Sequence, residues 1–174
     1  MEMQTKMKIM LVDDLPDLVR LYAERLEKGG HTVAIMDDMT SAYRTIKKHQ
    51  EEKKPFDLVT IDLMLKRFEP EFDKEQKKVD AALSAARFPF IASGQALGLR
   101  LWAEQPRTPY CYLSAHSGLW MAGLDGEFEE VTKEEREELL VIDKDSLRLN
   151  TLEETLKKVI DLWEGKGWVD STSG

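Results

Sequence analysis

The 174-residue chain holds a single cysteine, Cys111, so no internal disulfide is available, and its 3 histidines and lone cysteine form no cluster with zinc spacing. Cys111 lies on an apolar run and reads as a small core residue. Long hydrophobic stretches are missing too. The longest, such as Ile9 to Val12 and Leu139 to Ile142, fall far short of the ~20 residues that a bilayer requires, and no signal-peptide core follows Lys6 and Lys8. The expectation is a cytoplasmic chain with no membrane contact. Basic excess is absent: 25 Lys and Arg against 33 Asp and Glu give a net charge of −8, which disfavours direct nucleic-acid binding because phosphate contacts need clustered cations. No internal repeat or low-complexity tract occurs. What is present is a soluble composition, 42% hydrophobic and 33% charged, at a length that fits one domain over residues 1–174.

From Lys8 onward, short β-type runs alternate with amphipathic helical patterns, the signature of a parallel sheet covered on both faces. Lys8 to Val12 reads as a buried strand. Leu15, Leu18, Val19, Tyr22 and Leu26 then recur at helical spacing until Gly29-Gly30 ends the helix. Thr32 to Met36 gives a second strand, Thr40 a cap for a helix carrying Ala42, Tyr43 and Ile46, and Phe56 to Ile61 a third strand. Tyr110 to Leu113 and Leu139 to Ile142 supply two more. The last helix opens with Thr151 and Glu154 at capping-box spacing and buries Leu152, Leu156, Val159, Ile160 and Trp163. A doubly wound α/β domain with five parallel strands results.

Two stretches interrupt the rhythm. Residues 66–92 place about thirty residues where such connections usually take ~2 to 6, with Phe72, Val79, Leu83 and Ala86 on one helical face and Phe88, Phe90 and Ile91 as an apolar run that requires burial. This insert is expected to be an extra helix that either covers the strand ends, pairs two chains into a homodimer, or extends the core. From Leu119 to Val131, Asp125-Gly126 signals a tight turn or hairpin, and Thr132 with Glu135 forms a second capping-box pattern. An irregular surface loop is the alternative there. Residues 165–174 read as a C-terminal tail, frayed from Ser171.

Ligands of doubly wound sheets bind outside the carboxyl ends of the strands. At those ends stand Asp13-Asp14, Asp62, Ser114 and Asp143-Lys144. Singly, such residues are caps, turn formers or solvated charges. Together, three carboxylates at neighbouring strand ends repel one another, and a hard divalent cation such as Mg²⁺ is the natural relief.

Through MKIMLVDD (Met7 to Asp14), DLVTIDLML (Asp57 to Leu65), YLSA (Tyr112 to Ala115) and LLVIDK (Leu139 to Lys144), the chain resembles a response-regulator receiver domain of two-component phosphorelay signalling. The resemblance implies a flavodoxin-like strand order 2-1-3-4-5. It implies that Asp62 accepts a phosphoryl group from a histidine kinase or a histidine phosphotransfer protein. Mg²⁺ would be held by Asp13, Asp14, Asp62 and the backbone carbonyl of Met64, while Ser114 and Lys144 would bind phosphoryl oxygens and Ala115 would leave room beside them. The protein would catalyse its own phosphorylation and dephosphorylation without being a turnover enzyme.

The chain departs from the pattern at several positions. Asp145 follows Lys144 where the family has proline, Val141 stands in place of the switch aromatic, and Lys66 replaces a proline after the phosphoacceptor. Lys133 is the competing site lysine if Phe128 to Val131 forms the fifth strand. Met64, two residues after Asp62, cannot orient a hydrolytic water, which implies a long-lived phosphoryl group unless His116 or the insert governs water access. Only about ten residues follow the last helix, so output is expected through a downstream protein target and not an attached domain. A receiver-like interaction scaffold that never uses its acids for phosphoryl transfer is the second reading. A haloacid-dehalogenase-type phosphatase is set aside, because Met64 occupies the place of its second acid.

Overall fold

The computed structural model describes residues 5–169. Strands β1 (Lys8–Val12), β2 (Thr32–Met36), β3 (Leu58–Ile61), β6 (Tyr110–Ser114) and β7 (Val141–Asp143) form one parallel sheet in the order β2-β1-β3-β6-β7. Counted within this sheet alone, the order is the expected 2-1-3-4-5. β4 (Met64–Leu65) and β5 (Ala92–Ser93) pair antiparallel as a separate ribbon that the sequence pattern did not reveal. All four residues of β3 are buried, as are Ile9 to Val12 of β1, because central strands of a parallel sheet have helices on both sides. β2 is one of the two edge strands and is half exposed.

The helices are α1 (Pro16–Lys28), α2 (Met39–Glu51), α3 (Asp73–Ala85), α4 (Gln95–Ala103), a short α5 (Lys133–Glu135) and α6 (Leu152–Gly165). Contacts sort them into two layers. His31, just past α1, meets Glu153 of α6 at 3.1 Å, whereas Tyr43 and Lys47 of α2 reach Glu104 at the end of α4 at 2.5 and 3.3 Å. Right-handed crossovers put these two pairs on opposite faces of the sheet.

Several local expectations are corrected. β3 begins at Leu58, and Phe56 instead stacks on His49 with ring centroids 4.8 Å apart. α2 is capped by Asp38, whose carboxylate accepts from the Ser41 N–H at 2.7 Å, so Thr40 lies inside the helix. Thr151 does not cap α6: its hydroxyl donates to the Arg148 carbonyl at 3.1 Å. The Thr132–Glu135 capping box does form. It starts a helix that widens into a π-helical stretch, Arg136–Leu140, so Leu139 is helical and the fifth strand is only Val141–Asp143. Leucines at 139 and 140 satisfy a buried helix end as well as a strand, and length alone could not separate the two. Asp125 and Gly126 both take left-handed backbone angles, as a tight turn requires, yet no strands flank them and no hairpin exists.

The insert 66–92 comprises a 3₁₀ turn (Pro70–Phe72) and α3, with β4 just before it and β5 starting at its last residue. Phe72, Val79 and Leu83 are buried, but Ala86 is exposed, and Phe88 and Phe90 are 40% and 66% exposed. Of the apolar run, Phe88 and Phe90 stay at the surface, while the half-buried Ile91 packs against the cluster of Val79, Leu83, Leu99 and Met121. Polar ties fix the position of the insert. Glu69 accepts from the Met39 and Thr40 N–H groups at 2.8 Å each, an anion on the first turn of α2. Arg100 of α4 reaches both Glu75 oxygens at 2.9 Å and lies 4.1 Å from the Phe72 ring centroid. At the other end of the chain, Trp168 packs edge-on against Trp102 and Trp163 at 5.1 Å, so the expected tail 165–174 begins in ordered packing; its residues 170–174 lie outside the described residues.

Candidate functional site

The carboxyl ends of β1, β3, β6 and β7 meet at one pole. Asp62 leaves β3 buried, with Oδ1 accepting from the Ser114 hydroxyl at 2.6 Å and from the Met64 N–H at 3.2 Å. Its other oxygen accepts from the Lys144 ammonium at 3.2 Å. Asp13, next on β1, accepts from Lys144 at 2.5 Å and from the Leu15 N–H at 2.8 Å. Asp14 is half-buried, and its Oδ2 is buried without a hydrogen-bond partner. One ligand atom each from Asp13, Asp14 and Asp62 lie within 4.8 Å of one another.

Burial shapes the titration of this cluster. It pushes the Asp13 carboxyl up, with the charge of Asp62 adding to the effect and the Lys144 and Leu15 hydrogen bonds opposing it. Burial alone would pull the Lys144 ammonium down, but the Asp13 hydrogen bond and the charges of Asp62 and Asp13 outweigh it and hold the ammonium above its ordinary range. Lys144 is therefore the fixed cation of the pole.

Lys144 occupies this position without a following proline. β7 ends at Asp143, whose Oδ1 accepts from the Asp145 N–H at 2.8 Å and whose Oδ2 accepts from the Ser117 hydroxyl at 3.2 Å, folding Lys144–Ser146 into a 3₁₀ turn. Sequence reasoning missed this role of Asp143, although an Asp two residues before a backbone N–H is an ordinary turn signal. Lys133 is elsewhere: it is exposed and pairs with Glu137 at 3.8 Å. His116 is exposed, with its backbone N–H donating to Ser114 Oγ at 3.0 Å. Lys66 lines a cleft with Arg67, Asp37, Asp38 and Asp14, which places the start of the insert beside the acids.

Two further buried positions, one packed against the site and one in a separate cluster on the other side of β6, carried no sequence signal. Gly94, the N-cap of α4, lies so close that a Cβ there would stand 1.8 Å from the Asp62 carbonyl oxygen. Only glycine permits that approach. Glu127, in the irregular connection after β6, is buried and accepts from the Tyr112 hydroxyl at 2.5 Å, the Trp120 indole at 2.8 Å, the Gln95 amide at 3.0 Å and the Tyr110 hydroxyl. Burial raises its carboxyl above the ordinary range, against the pull of those four donors.

No family model matches the chain, and a search of curated proteins finds no match. Solved structures do match. A sensor protein from Polaromonas sp. JS666 aligns with TM-score 0.56 at 20% identity, covering 91% of this chain and 98% of that one. The non-phosphorylated HemR receiver domain from Leptospira biflexa aligns with TM-score 0.52 at 19% identity, covering 89% and 94%. The N-terminal domain of a response regulator/sensory box/GGDEF three-domain protein from Carboxydothermus hydrogenoformans aligns with TM-score 0.50 at 19% identity, covering 92% and 98%. At these identities the likeness speaks to architecture, and it agrees with the strand order of the sheet: the fold of this chain is that of a response-regulator receiver domain.

Proposed function

We propose that the protein is a phosphoacceptor of a two-component or phosphorelay pathway, with Asp62 taking the phosphoryl group. The observation that carries this reading is the pairing of Asp62 with both Ser114 and Lys144 at the strand ends, beside Asp13 and Asp14. A carboxylate oxygen of Asp62 would attack phosphorus, forming an acyl phosphate as the bond to the donor breaks. Lys144 brings a cation to the incoming negative charge, and Ser114, released from Asp62, brings a hydroxyl donor.

The donor set fits a hard divalent cation, since Asp14 carries an orphaned buried oxygen beside two further carboxylates. Asp13, Asp14 and Asp62 with the Met64 carbonyl would hold Mg²⁺. When bound, the ion would neutralise charge on the phosphoryl oxygens. The donor would be a histidine kinase or phosphotransfer protein in the cytoplasm, and output would pass to a protein target. Among the described residues, no helix is long and apolar enough to cross a membrane.

A second reading, the scaffold that never accepts phosphate, draws on the depth of Asp62, which is 4% exposed with both oxygens engaged. One experiment separates them. The protein is incubated with an acyl phosphate with and without Mg²⁺ and weighed intact. The phosphoacceptor reading expects one added phosphoryl mass that requires Mg²⁺ and vanishes in Asp62→Asn; an unchanged mass in the wild type leaves the scaffold.

A further inference from the structure

Among the described residues, every exposed Phe, Tyr or Trp side chain belongs to the insert: Phe68, Phe88 and Phe90 are 56%, 40% and 66% exposed. Single apolar residues scattered over a surface are ordinary, but three rings on one element are not. Phe68 follows β4, and Phe88 and Phe90 precede β5. The antiparallel pairs Met64–Ser93 and Leu65–Ala92 join those two flanks in one ribbon.

The backbone that carries Phe88 and Phe90 is fixed at both ends. Past the end of α3, Arg87 takes φ of +64°, a left-handed conformation that a side chain adopts at a cost. It is held there by its own N–H on the Ser84 carbonyl at 3.0 Å and by the Phe88 N–H on the Leu83 carbonyl at 2.8 Å. At the other end, the buried Gln76 side chain donates to the Ile91 carbonyl at 2.9 Å and accepts from the Ser93 N–H at 3.1 Å. The rings are therefore presented on a set backbone, which lowers the ordering entropy that a partner must overcome.

The charges of the insert divide by use. Glu69 holds the α2 N–H groups, Glu75 holds Arg100 at 2.9 Å, and Glu71 lies 3.7 and 3.8 Å from Arg44 and Arg100. Asp73 pairs with Lys77 at 2.9 Å, and Asp80 accepts from Gln76 at 2.8 Å, so each acid of the insert is engaged inside the protein. Lys66, Arg67 and Arg87 differ. They adjoin the three phenylalanines in sequence, are exposed, and form no ion pair among the described residues; Arg67 acts on Asp38 only through space.

We propose that this aromatic and basic end of the insert is a docking surface for an acidic peptide segment of a partner protein, one that also carries apolar side chains. Its rings supply the apolar contact and its three cations the complementary charge. A second copy of this chain fits worse, because an isologous pair sets the same cations against each other. An anionic bilayer fits worse as well. Asp14, Asp37, Asp38 and Glu69 line the cleft that Lys66 and Arg67 border, and a plane would meet those acids where a single strand need not. The proposal does not rest on phosphoryl transfer at Asp62.

The full chain, used as bait for a phage library of random 12-residue peptides, tests it. Enriched sequences should combine Asp or Glu with Leu, Ile or aromatic residues, and the synthetic peptides should bind in solution by fluorescence anisotropy. Phe88→Ser and Phe90→Ser should each weaken that binding by at least ~10-fold while melting as the wild type does, since both rings are exposed. The double variant Lys66→Glu, Arg67→Glu should weaken it too and remove most of its salt dependence. No enrichment, enriched peptides without acids, or binding that survives both Phe→Ser changes overturns the proposal. So does either alternative occupant: a wild-type dimer that Phe90→Ser turns into a monomer, or pelleting with phosphatidylserine–phosphatidylcholine vesicles that Phe90→Ser abolishes.

Discussion

Two buried carboxylate clusters flank β6, and they are balanced differently. Asp13 and Asp62 share the ammonium of Lys144, whereas Glu127 meets only hydroxyl, indole and amide donors. An ion pair in a buried site can hold a charge firmly and still be opened by a competing anion or cation. Neutral donors satisfy a carboxylate without offering it a counter-charge, so the second cluster keeps its geometry while remaining sensitive to the loss of any single donor.

The comparison predicts a ranking of substitutions. Removing the cation should cost most: Lys144→Met leaves Asp13 and Asp62 buried and facing each other, a loss of about 3–5 kcal/mol by denaturant unfolding. The Lys133→Ala variant should stay within about 0.5 kcal/mol of the wild type, since that side chain is exposed. Equal effects would break the assignment of Lys144 as the fixed cation. Glu127→Gln should follow at about 1–3 kcal/mol, because its amide nitrogen cannot accept from the tyrosine hydroxyls that the carboxylate oxygen served, and adding Tyr112→Phe should recover part of the loss. A double mutant no better than the single one would show that the hydroxyl does not matter to Glu127. Thr132→Ala should lose about 1 kcal/mol through its cap, and Thr151→Ala less, since Thr151 caps nothing.

Acid and base sharpen the same contrast. The folded-state values of Lys144 and Glu127 both lie above their ordinary ranges, so each contribution is full below the unfolded value and is lost as pH rises through the folded one. For Lys144 that loss falls above the ordinary lysine range, and for Glu127 above the ordinary carboxylate range. Wild type and Glu127→Gln should therefore draw closer in stability as pH climbs from acid through the latter window, measured by thermal unfolding. A gap that widens there would contradict the buried-carboxylate account.

The first cluster was legible in the sequence and the second was not, for a physical reason. Asp13, Asp62 and Lys144 each follow a strand and Ser114 ends one, so the short continuous apolar runs point to them and the parallel sheet gathers their ends. The match of Lys144 to the pole needed only the last strand, although Leu139 and Leu140 concealed where it starts. Glu127 sits in turns between elements, and its donors come from β6, α4 and the connection itself. No spacing rule joins such residues. Tyr110 and Tyr112 read as apolar strand residues, and the need of their hydroxyls for a partner was the one available clue. The insert shows a similar limit: periodicity located α3, but not the ribbon of two-residue strands or the exposure of Phe88 and Phe90.

The central claim is that an acyl phosphate forms on the Asp62 side chain. Hydroxylamine cleaves an acyl phosphate and leaves a hydroxamate on the carbon that bore it, which peptide mass spectrometry can place. After treatment with acyl phosphate and Mg²⁺ and a hydroxylamine quench, the account predicts the hydroxamate on the peptide containing Asp62, absent without Mg²⁺ and absent in Asp62→Asn. A hydroxamate on another acidic residue, or none while the wild type binds Mg²⁺, would contradict it.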